Sequence, residues 1–258
     1  DVKSANSHTI NAPMTLGTQT WNVAAGGSID FVMDDNAGGA QTFTKTGAGS
    51  ATVEDNAGGS HDIIVKAGQL NLDASKKSNR DPAVVVEDGA ELRDAVPGGL
   101  RLSSLTLKAG GLVTIRNDTG RSGNAGGTHT YEGGKVNLQN GAVLGDWPGG
   151  GNNTIISYVA GSGEQARMTG NGSLSPGKHE RTISVEDDAS LDVEMRIDVP
   201  VTDDVNGDIN GTFQKAGNGT LAFNGDNTYS AATDINAGTL LINGNTSGQG
   251  TYTVATGA

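Results

Sequence analysis

Four of the five carboxylates in the segment VEDDASLDVE, residues 185–194, are candidates for catalysis. They belong to Asp187, Asp188, Asp192 and Glu194, and hydrolysis of a glycosidic bond requires a pair of such groups at a set separation. If this segment is a strand, Asp192 and Glu194 lie on the same face, because side chains alternate along a strand. A solvated acidic face explains the same pattern, and we favour that interpretation over an active site.

Other motifs for catalysis or metal binding are absent. The chain has no cysteine and no Gly-x-Ser-x-Gly nucleophile elbow. Its four histidines do not have the spacing of zinc ligands; they are His8, His61, His129 and His179. We therefore predict no catalytic residue, no metal ligand and no cofactor, and we expect the protein not to be an enzyme.

One segment partly resembles a calcium-binding loop. Asp204, Asn206 and Asp208 have the spacing of the first three ligands of an EF-hand. However, Ile209 occupies the position that requires glycine, and Lys215 occupies the position of the bidentate glutamate. A polar turn is therefore the favoured interpretation of this segment.

A candidate ligand-binding site lies in the segment GDWPGGGNN, residues 145–153. Trp147 is a large aromatic residue in an evident loop, flanked by Asp146 and Asn152. An exposed aromatic ring beside polar groups can stack on a sugar ring. The alternative is that Trp147 covers the end of one turn of the fold. Our binding hypothesis consists of Asp146, Trp147 and Asn152.

Composition limits the fold and the partners. With 41 glycines, 34% hydrophobic residues and 4% aromatic residues, the chain favours short strands joined by tight turns. The net charge of -12 argues against nucleic acid and anionic lipid as partners. The one basic cluster, residues 75–82, has no aromatic residue for base stacking. No apolar run is long enough to span a bilayer, so we expect no membrane insertion by this segment.

Glycines recur at a fixed interval, and apolar residues recur with them. The glycines are Gly26, Gly47, Gly68, Gly89 and Gly110, and later Gly217 and Gly238. The residues five and three positions before the first five glycines are predicted to point inward: Trp21 and Val23, Thr42 and Thr44, Ile63 and Val65, Val84 and Val86, Leu105 and Leu107. Each unit therefore reads as strand, glycine turn, strand. Such a unit fits one coil of a parallel β-helix.

The glycine period divides the chain into three parts. Regular coils are predicted at about 21–115 and 213–258, with loop-rich coils at 116–212. Two strand–turn–strand patterns remain in the middle part, with turns at Gly141 and Asp188. We expect residues 1–258 to form a single β-helix segment of a larger protein, an all-β fold with coils of about 21 residues.

Residues 43–72 and 213–242 carry the same pattern twice, at an offset of 170. Eight of the thirty aligned positions are identical: Phe43/Phe213, Lys45/Lys215, Gly47/Gly217, Gly49/Gly219, Ser60/Ser230, Ala67/Ala237, Gly68/Gly238 and Leu70/Leu240. The second copy resembles the autotransporter-associated β-strand repeat, G-x-G-T-L-x-L-x-G-x-N-T-Y-x-G-x-T-x-V-x-x-G-T-L. The matching residues are Gly217, Gly219, Thr220, Leu221, Phe223, Gly225, Asn227, Thr228, Tyr229, Thr233, Ile235, Gly238, Thr239 and Leu240. Ala231 replaces the usual glycine, and the first copy lacks the Asn-Thr-Tyr centre.

The resemblance implies a right-handed parallel β-helix in the passenger region of an autotransporter-like protein, at the surface of a Gram-negative-type bacterium or secreted. We expect a non-catalytic shaft or an adhesive segment, with a host or matrix glycan or protein as the candidate partner. The alternatives are a glycan-active enzyme, either a hydrolase or a lyase, and a glycan-binding module on the same scaffold. We also expect end-to-end self-association through the C-terminal coil, which contains Tyr252 and Val254.

Overall fold

The computed structural model describes residues 6–14, 17–33, 41–55, 61–73, 82–96, 100, 102–116, 128–140, 142–144, 154–176, 180–203, 211–248 and 250–258. All regular secondary structure in these ranges is β-strand. The strands are β1 (Ser7–Met14), β2 (Gln19–Asn22), β3 (Ser28–Met33), β4 (Gln41–Thr46), β5 (Ser50–Asp55), β6 (His61–Val65), β7 (Gly68–Asp73), β8 (Ala83–Val86), β9 (Ala90–Asp94), β10 (Ser104–Lys108), β11 (Leu112–Arg116), β12 (Thr128–Glu132), β13 (Lys135–Gln139), β14 (Val143–Leu144), β15 (Thr154–Tyr158), β16 (Ala166–Gly170), β17 (Ser173–Leu174), β18 (Arg181–Val185), β19 (Met195–Ile197), β20 (Phe213–Ala216), β21 (Thr220–Phe223), β22 (Thr233–Ile235), β23 (Thr239–Ile242) and β24 (Tyr252–Val254).

These strands form two long parallel sheets, which we call sheet 1 and sheet 2. Sheet 1 has the order β1-β3-β5-β7-β9-β11-β13-β16-β19-β21-β23. Sheet 2 has the order β2-β4-β6-β8-β10-β12-β15-β18-β20-β22-β24, and β14 pairs with β17 in a third, short sheet. Each strand pairs with its counterpart in the next coil, so the chain is a parallel β-solenoid. The predicted all-β parallel coil architecture is confirmed.

Side chains that point inward alternate along the strands with side chains that point outward, and the inward ones form the core. In sheet 2, Val65 pairs with Val86 and Val86 with Leu107, and all three side chains are buried. Sheet 1 has the same kind of ladder, in which Leu70 pairs with Leu92. Identical or similar apolar side chains therefore stack along the axis and form one hydrophobic core between the two sheets.

The periodic glycines lie where sheet 2 strands turn into sheet 1 strands. All seven have positive φ angles, between 65° and 76°: Gly26, Gly47, Gly68, Gly89, Gly110, Gly217 and Gly238. Residues with a Cβ atom rarely adopt this conformation, so the backbone requires glycine here. At Gly68 a Cβ would also overlap the carbonyl oxygens of Gly47 and Gly49 in the preceding coil.

The strand register follows the glycine period only on average. Phe43 pairs with Ile63 and Ser50 with Gln69, and both steps are shorter than the interval between Gly47 and Gly68. The prediction that Thr42 and Thr44 point inward is therefore wrong: Phe43 and Lys45 are the buried residues of β4, and Trp21 pairs with Lys45. Gly47 lies at the turn as predicted, but the buried residues of β4 are displaced by one position from the predicted ones.

The steps between coils lengthen in the middle of the chain. Lys135 pairs with Arg167 and Arg181 with Phe213, and both steps are much longer than those of the regular coils. The short step then returns, because Phe213 pairs with Thr233. From β14 onward a third face of the solenoid also forms parallel pairs, including Leu174 with Val201 and Asn227 with Thr246.

Candidate functional site

Several of the predicted site residues cannot be placed. The binding hypothesis at Asp146, Trp147 and Asn152 lies outside the described residues, and so do the candidate calcium ligands Asp204, Asn206 and Asp208 and the fourth histidine, His179. These hypotheses stay predictions. The described candidates are the carboxylates of residues 185–194 and the histidines of the core.

The predicted pair of Asp192 and Glu194 does not share a strand face. Both residues lie between β18 and β19, where the backbone follows a turn; Asp192 is exposed and Glu194 is buried. Glu194 Oε1 accepts a hydrogen bond from the Asp188 backbone N–H at 3.1 Å, and Oε2 accepts one from the Thr220 backbone N–H at 2.6 Å. Glu194 therefore holds its own turn against the next coil. Its carboxylate oxygens are both bonded to backbone amides and do not face a groove with Asp192.

Asp188 has a similar structural role. Its Oδ1 accepts hydrogen bonds from the hydroxyl and backbone N–H of Ser190, and its Oδ2 accepts one from the backbone N–H of Gly161 at 3.0 Å. These hydrogen bonds, led by that of the Ser190 hydroxyl, hold the pKa of Asp188 well below its usual value. A general acid in a glycosidase needs the opposite shift. Asp188 thus stabilises the turn as an ionised acceptor.

Tyr158 lies next to this turn. Its hydroxyl is 3.4 Å from Asp188 Oδ2, and burial together with the charge of Asp188 raises the pKa of Tyr158 to about 12. The tyrosine therefore stays neutral at physiological pH and donates to the turn. Neither Asp188 nor Tyr158 has a pKa near neutrality, where a general acid or base is most effective.

Two of the histidines belong to the core. His61 Nε2 lies 2.9 Å from Asp55 Oδ2, and both side chains are almost fully buried. His129 lies 3.5 Å from the Tyr131 hydroxyl, and burial and the charge of Arg181 lower the pKa of His129 to about 4. Within the described part of the chain, no three His, Asp or Glu residues are placed to hold a metal ion.

Two buried lysines are among the polar residues that sequence reasoning missed. Lys45 is fully buried, and its Nζ donates hydrogen bonds to the carbonyl oxygens of Thr46 at 3.0 Å, Gly47 at 2.7 Å and Ala67 at 2.8 Å. An ammonium group has three donors, so all three are used. Two acceptors belong to the lysine's own turn, and the third belongs to the turn of the next coil.

Lys215, at the aligned position of the second copy, repeats this arrangement. It is 2% exposed, and its Nζ donates to Ala216 at 2.9 Å, Gly217 at 2.6 Å and Ala237 at 3.0 Å. Burial lowers the pKa of both Lys45 and Lys215 to about 8. We call Lys45 and Lys215 the turn lysines. A signal for them was present in the sequence, because both are among the eight identical positions of the two copies.

The fold and these contacts define a class of protein: a parallel β-solenoid whose internal polar residues join successive turns. Residues 213–242 match the family model described as Passenger-associated-transport-repeat. This match confirms the autotransporter repeat predicted on the second copy, and it includes Lys215, Gly217 and Gly238. No curated protein and no solved structure matches the chain. The described residues include no helix with the length and apolar character needed to span a membrane.

Proposed function

We propose that the chain is a non-catalytic shaft or adhesive segment in the passenger region of an autotransporter-like protein, displayed on or secreted by a Gram-negative bacterium. The repeat at residues 213–242 and the solenoid fold support a passenger segment. In this proposal residues 1–258 form one β-helix segment of a larger protein. The regular coils at about 21–115 and 213–258 carry the loop-rich coils at 116–212.

The observation that carries the structural role is that buried polar residues join successive turns. Lys45 and Lys215 each bond two turns together, and Glu194 bonds the turn at Asp188 to Thr220 in the next coil. A residue whose donors or acceptors are all bonded to backbone is not available to a substrate. These groups therefore favour a scaffold over an active site.

A screen for turnover tests this proposal. Purified protein is incubated with neutral and acidic polysaccharides, esters and protein substrates, and we expect no glycosidase, lyase, esterase or protease activity. An antibody against the segment should label intact cells of the native bacterium or detect the protein in the medium. Reproducible turnover that is lost in Asp192→Asn would support the glycan-active enzyme instead.

A glycan-binding module remains a second candidate, through Asp146, Trp147 and Asn152. It is supported by the chemistry of an aromatic residue flanked by polar groups. Trp147→Ala should then abolish binding in a glycan array while leaving the thermal unfolding curve unchanged. If the variant loses stability and not binding, Trp147 covers a coil.

The candidate partners are a host or matrix glycan or protein, and a second copy of the segment. In a protein consisting of residues 1–258 alone, β24 pairs with β22 on one side only, and Tyr252 is 41% exposed and Val254 60% exposed. Unpaired edge strands associate with other strands. We expect concentration-dependent association in sedimentation experiments, which Val254→Lys should abolish. A strict monomer at high concentration, with or without Val254→Lys, would contradict end-to-end association.

A further inference from the structure

Three cationic residues form a row across the outer face of sheet 1. They are Lys135 on β13, Arg167 on β16 and Arg196 on β19, and the register pairs Lys135 with Arg167 and Arg167 with Arg196. Adjacent strands lie about 4.8 Å apart, and like charges directly opposite each other destabilise a sheet. The three positive charges therefore require negative groups beside them. The chain as a whole has a net charge of -12.

Asp198 supplies part of that charge. Its Oδ2 lies 2.7 Å from Arg167 Nη2, and its Oδ1 lies 3.2 Å from Arg196 Nη2. Burial alone would raise the pKa of Asp198, but hydrogen bonds from Asn224 and Arg167 and the charges of both arginines lower it. Asp198 is therefore ionised and bridges the two arginines. Lys135 is exposed and forms no ion pair with any described residue.

Lys135 and Arg167 line a cleft of about 420 Å³. The volume lies within the range of small-molecule sites, at a size that suits a single sugar unit. One wall consists of glycine backbone, and a Cβ at Gly133 would lie 2.6 Å from Cβ of Glu164. The absence of a Cβ at Gly133 therefore lets Glu164 of the next coil pack directly against the glycine backbone at this wall. The remaining lining residues are Gly110, Gly111, Leu112, Glu164 and Gln165.

The lining combines a cationic side with an acceptor side. Glu164 contributes a carboxylate that forms no ion pair with a described residue. The Gln165 amide nitrogen donates to the Val193 carbonyl oxygen at 2.7 Å, which holds this side chain in place. Three cations and the two carboxylates of Asp198 and Glu164 leave one positive charge, so the cleft is suited to a ligand with one negative charge and several hydroxyl donors.

We propose that this cleft binds an acidic sugar unit of a glycan. Lys135 and Arg167 bind its carboxylate or sulfate, and Glu164 and Gln165 accept hydrogen bonds from its hydroxyls. This cleft is a different site from the one proposed at Trp147. It gives the proposed shaft a ligand-binding role. The Debye length is about 8 Å at physiological salt, so the remaining acidic surface is screened while the residues of the cleft are not.

Titration with four probes tests the chemistry of this site. The probes are a short oligogalacturonate, a sulfated oligosaccharide, a neutral galactose oligomer of equal length and polyglutamate. We expect at least one of the two acidic sugars to bind about tenfold more tightly than the neutral oligomer and polyglutamate, because charge-assisted hydrogen bonds exceed neutral ones. Whichever acidic sugar binds more tightly identifies the anionic group.

Two matched variants locate the site. Lys135→Gln removes an exposed ammonium that has no ion pair in the described structure, so the fold should be retained, and binding should weaken about tenfold. Lys66→Gln removes another exposed lysine, on an earlier coil, and should leave binding unchanged. Circular dichroism and thermal unfolding check that both variants are folded.

The proposal is overturned if neither acidic sugar binds at millimolar concentration, or if Lys135→Gln binds as tightly as the parent protein. Equal binding of the neutral oligomer or of polyglutamate would also overturn it, since then neither the charge nor the sugar is recognised. Such a failure leaves the proposed shaft function intact, because that function rests on the repeat and the turn contacts.

Discussion

The repeats at residues 43–72 and 213–242 form their turns in the same way and differ at their centres. The step to the next coil is the same in both copies, through the pairs Phe43 with Ile63 and Phe213 with Thr233 in sheet 2, and Ser50 with Gln69 and Thr220 with Thr239 in sheet 1. Both place a turn lysine against three carbonyl oxygens. The ends of the repeat therefore specify the turn and its bond to the next coil.

The described residues at the centres of the two copies, Asp55 and His61 in the first and 225–231 in the second, make different contacts. In the second copy the Tyr229 hydroxyl bonds to Thr233 Oγ1 at 2.8 Å and to the Tyr252 hydroxyl at 3.0 Å. Asn227 Oδ1 accepts a hydrogen bond from the Val201 N–H at 3.1 Å. In the first copy the buried pair Asp55 and His61 lies at the aligned positions of Gly225 and Ala231. The centre can thus change while the turn is retained.

The largest expected effect concerns the turn glycines. In Gly68→Ala the new Cβ overlaps two carbonyl oxygens in addition to requiring a positive φ, so we expect a loss of about 3 kcal/mol in the free energy of unfolding. Gly238→Ala should behave alike, because its contacts with Gly217 and Gly219 are equivalent. Denaturant unfolding measures both.

Gly89→Ala is the matched control for this prediction. Gly89 has a φ of 68°, but a Cβ there meets no atom within 4 Å. Only the cost of a positive φ for alanine remains, and we expect a loss of about 1 kcal/mol in the free energy of unfolding. Equal losses at positions 68 and 89 would show that the contact between coils does not contribute.

The next effect concerns the turn lysines. Lys45→Met and Lys215→Met each remove a buried ammonium that donates to three carbonyl oxygens, and we expect each to cost about 2 to 3 kcal/mol. Lys66→Met, at an exposed position, should change stability by less than about 0.5 kcal/mol. If one turn-lysine variant is as stable as the Lys66 variant, the lysine of that copy does not stabilise its turn. The two copies would then differ in this respect.

The centre of the first copy should give a smaller effect, detectable as a coupling. We expect the double-mutant cycle of Asp55→Ala and His61→Ala to give a coupling free energy of about 1 to 2 kcal/mol, because the two groups are buried and 2.9 Å apart. Tyr229→Phe in the second copy removes two hydroxyl contacts and should cost about 1 kcal/mol. Additive losses at Asp55 and His61 would mean that the pair does not stabilise the centre.

The pH dependence of stability should also report on the turn lysines. The turn lysines have a pKa of about 8 in the folded chain against 10.5 for an ordinary lysine. Above pH 8 the unfolded chain therefore binds more protons than the native one, and these two groups raise the free energy of unfolding with pH. We expect a rise between about pH 8 and 9.5 that the double variant Lys45→Met/Lys215→Met lacks.

At higher pH the ionisation of tyrosine opposes this rise in the free energy of unfolding. Burial raises the pKa of Tyr158 to about 12, so above pH 10 the unfolded chain loses tyrosine protons that the native chain retains. Stability should then fall with pH. A decrease already between pH 8 and 9.5 that depends on the turn lysines would contradict their lowered pKa.

Much of the fold was predictable from the sequence because its signals are local. The seven turn glycines are recognisable from their period, and the alternation of buried residues such as Val84 and Val86 is characteristic of a strand. The displaced register at Phe43 and Lys45 was not predictable from that period, since a glycine fixes the turn and not the length of the segment that precedes it.

The candidate site was less predictable, because the roles of its polar residues depend on the neighbouring coil. Glu194 looked like a strand residue beside Asp192, but its partner Thr220 is 26 residues away in sequence. Lys45 would ordinarily be placed on the surface, because charged residues are rarely buried without a partner. Its third acceptor, Ala67, comes close only once the coils are stacked.

Titration of the lysine side chains by NMR tests the central claim that the turn lysines join successive coils from inside the solenoid. In protein labelled with ¹³C at the lysine side chains, the resonances of Lys45 and Lys215 are assigned by their methionine variants. The account predicts that both titrate near pH 8, well below the 10.5 of an ordinary lysine. Titration of both at the ordinary value would show that burial does not lower their pKa, and would contradict the account.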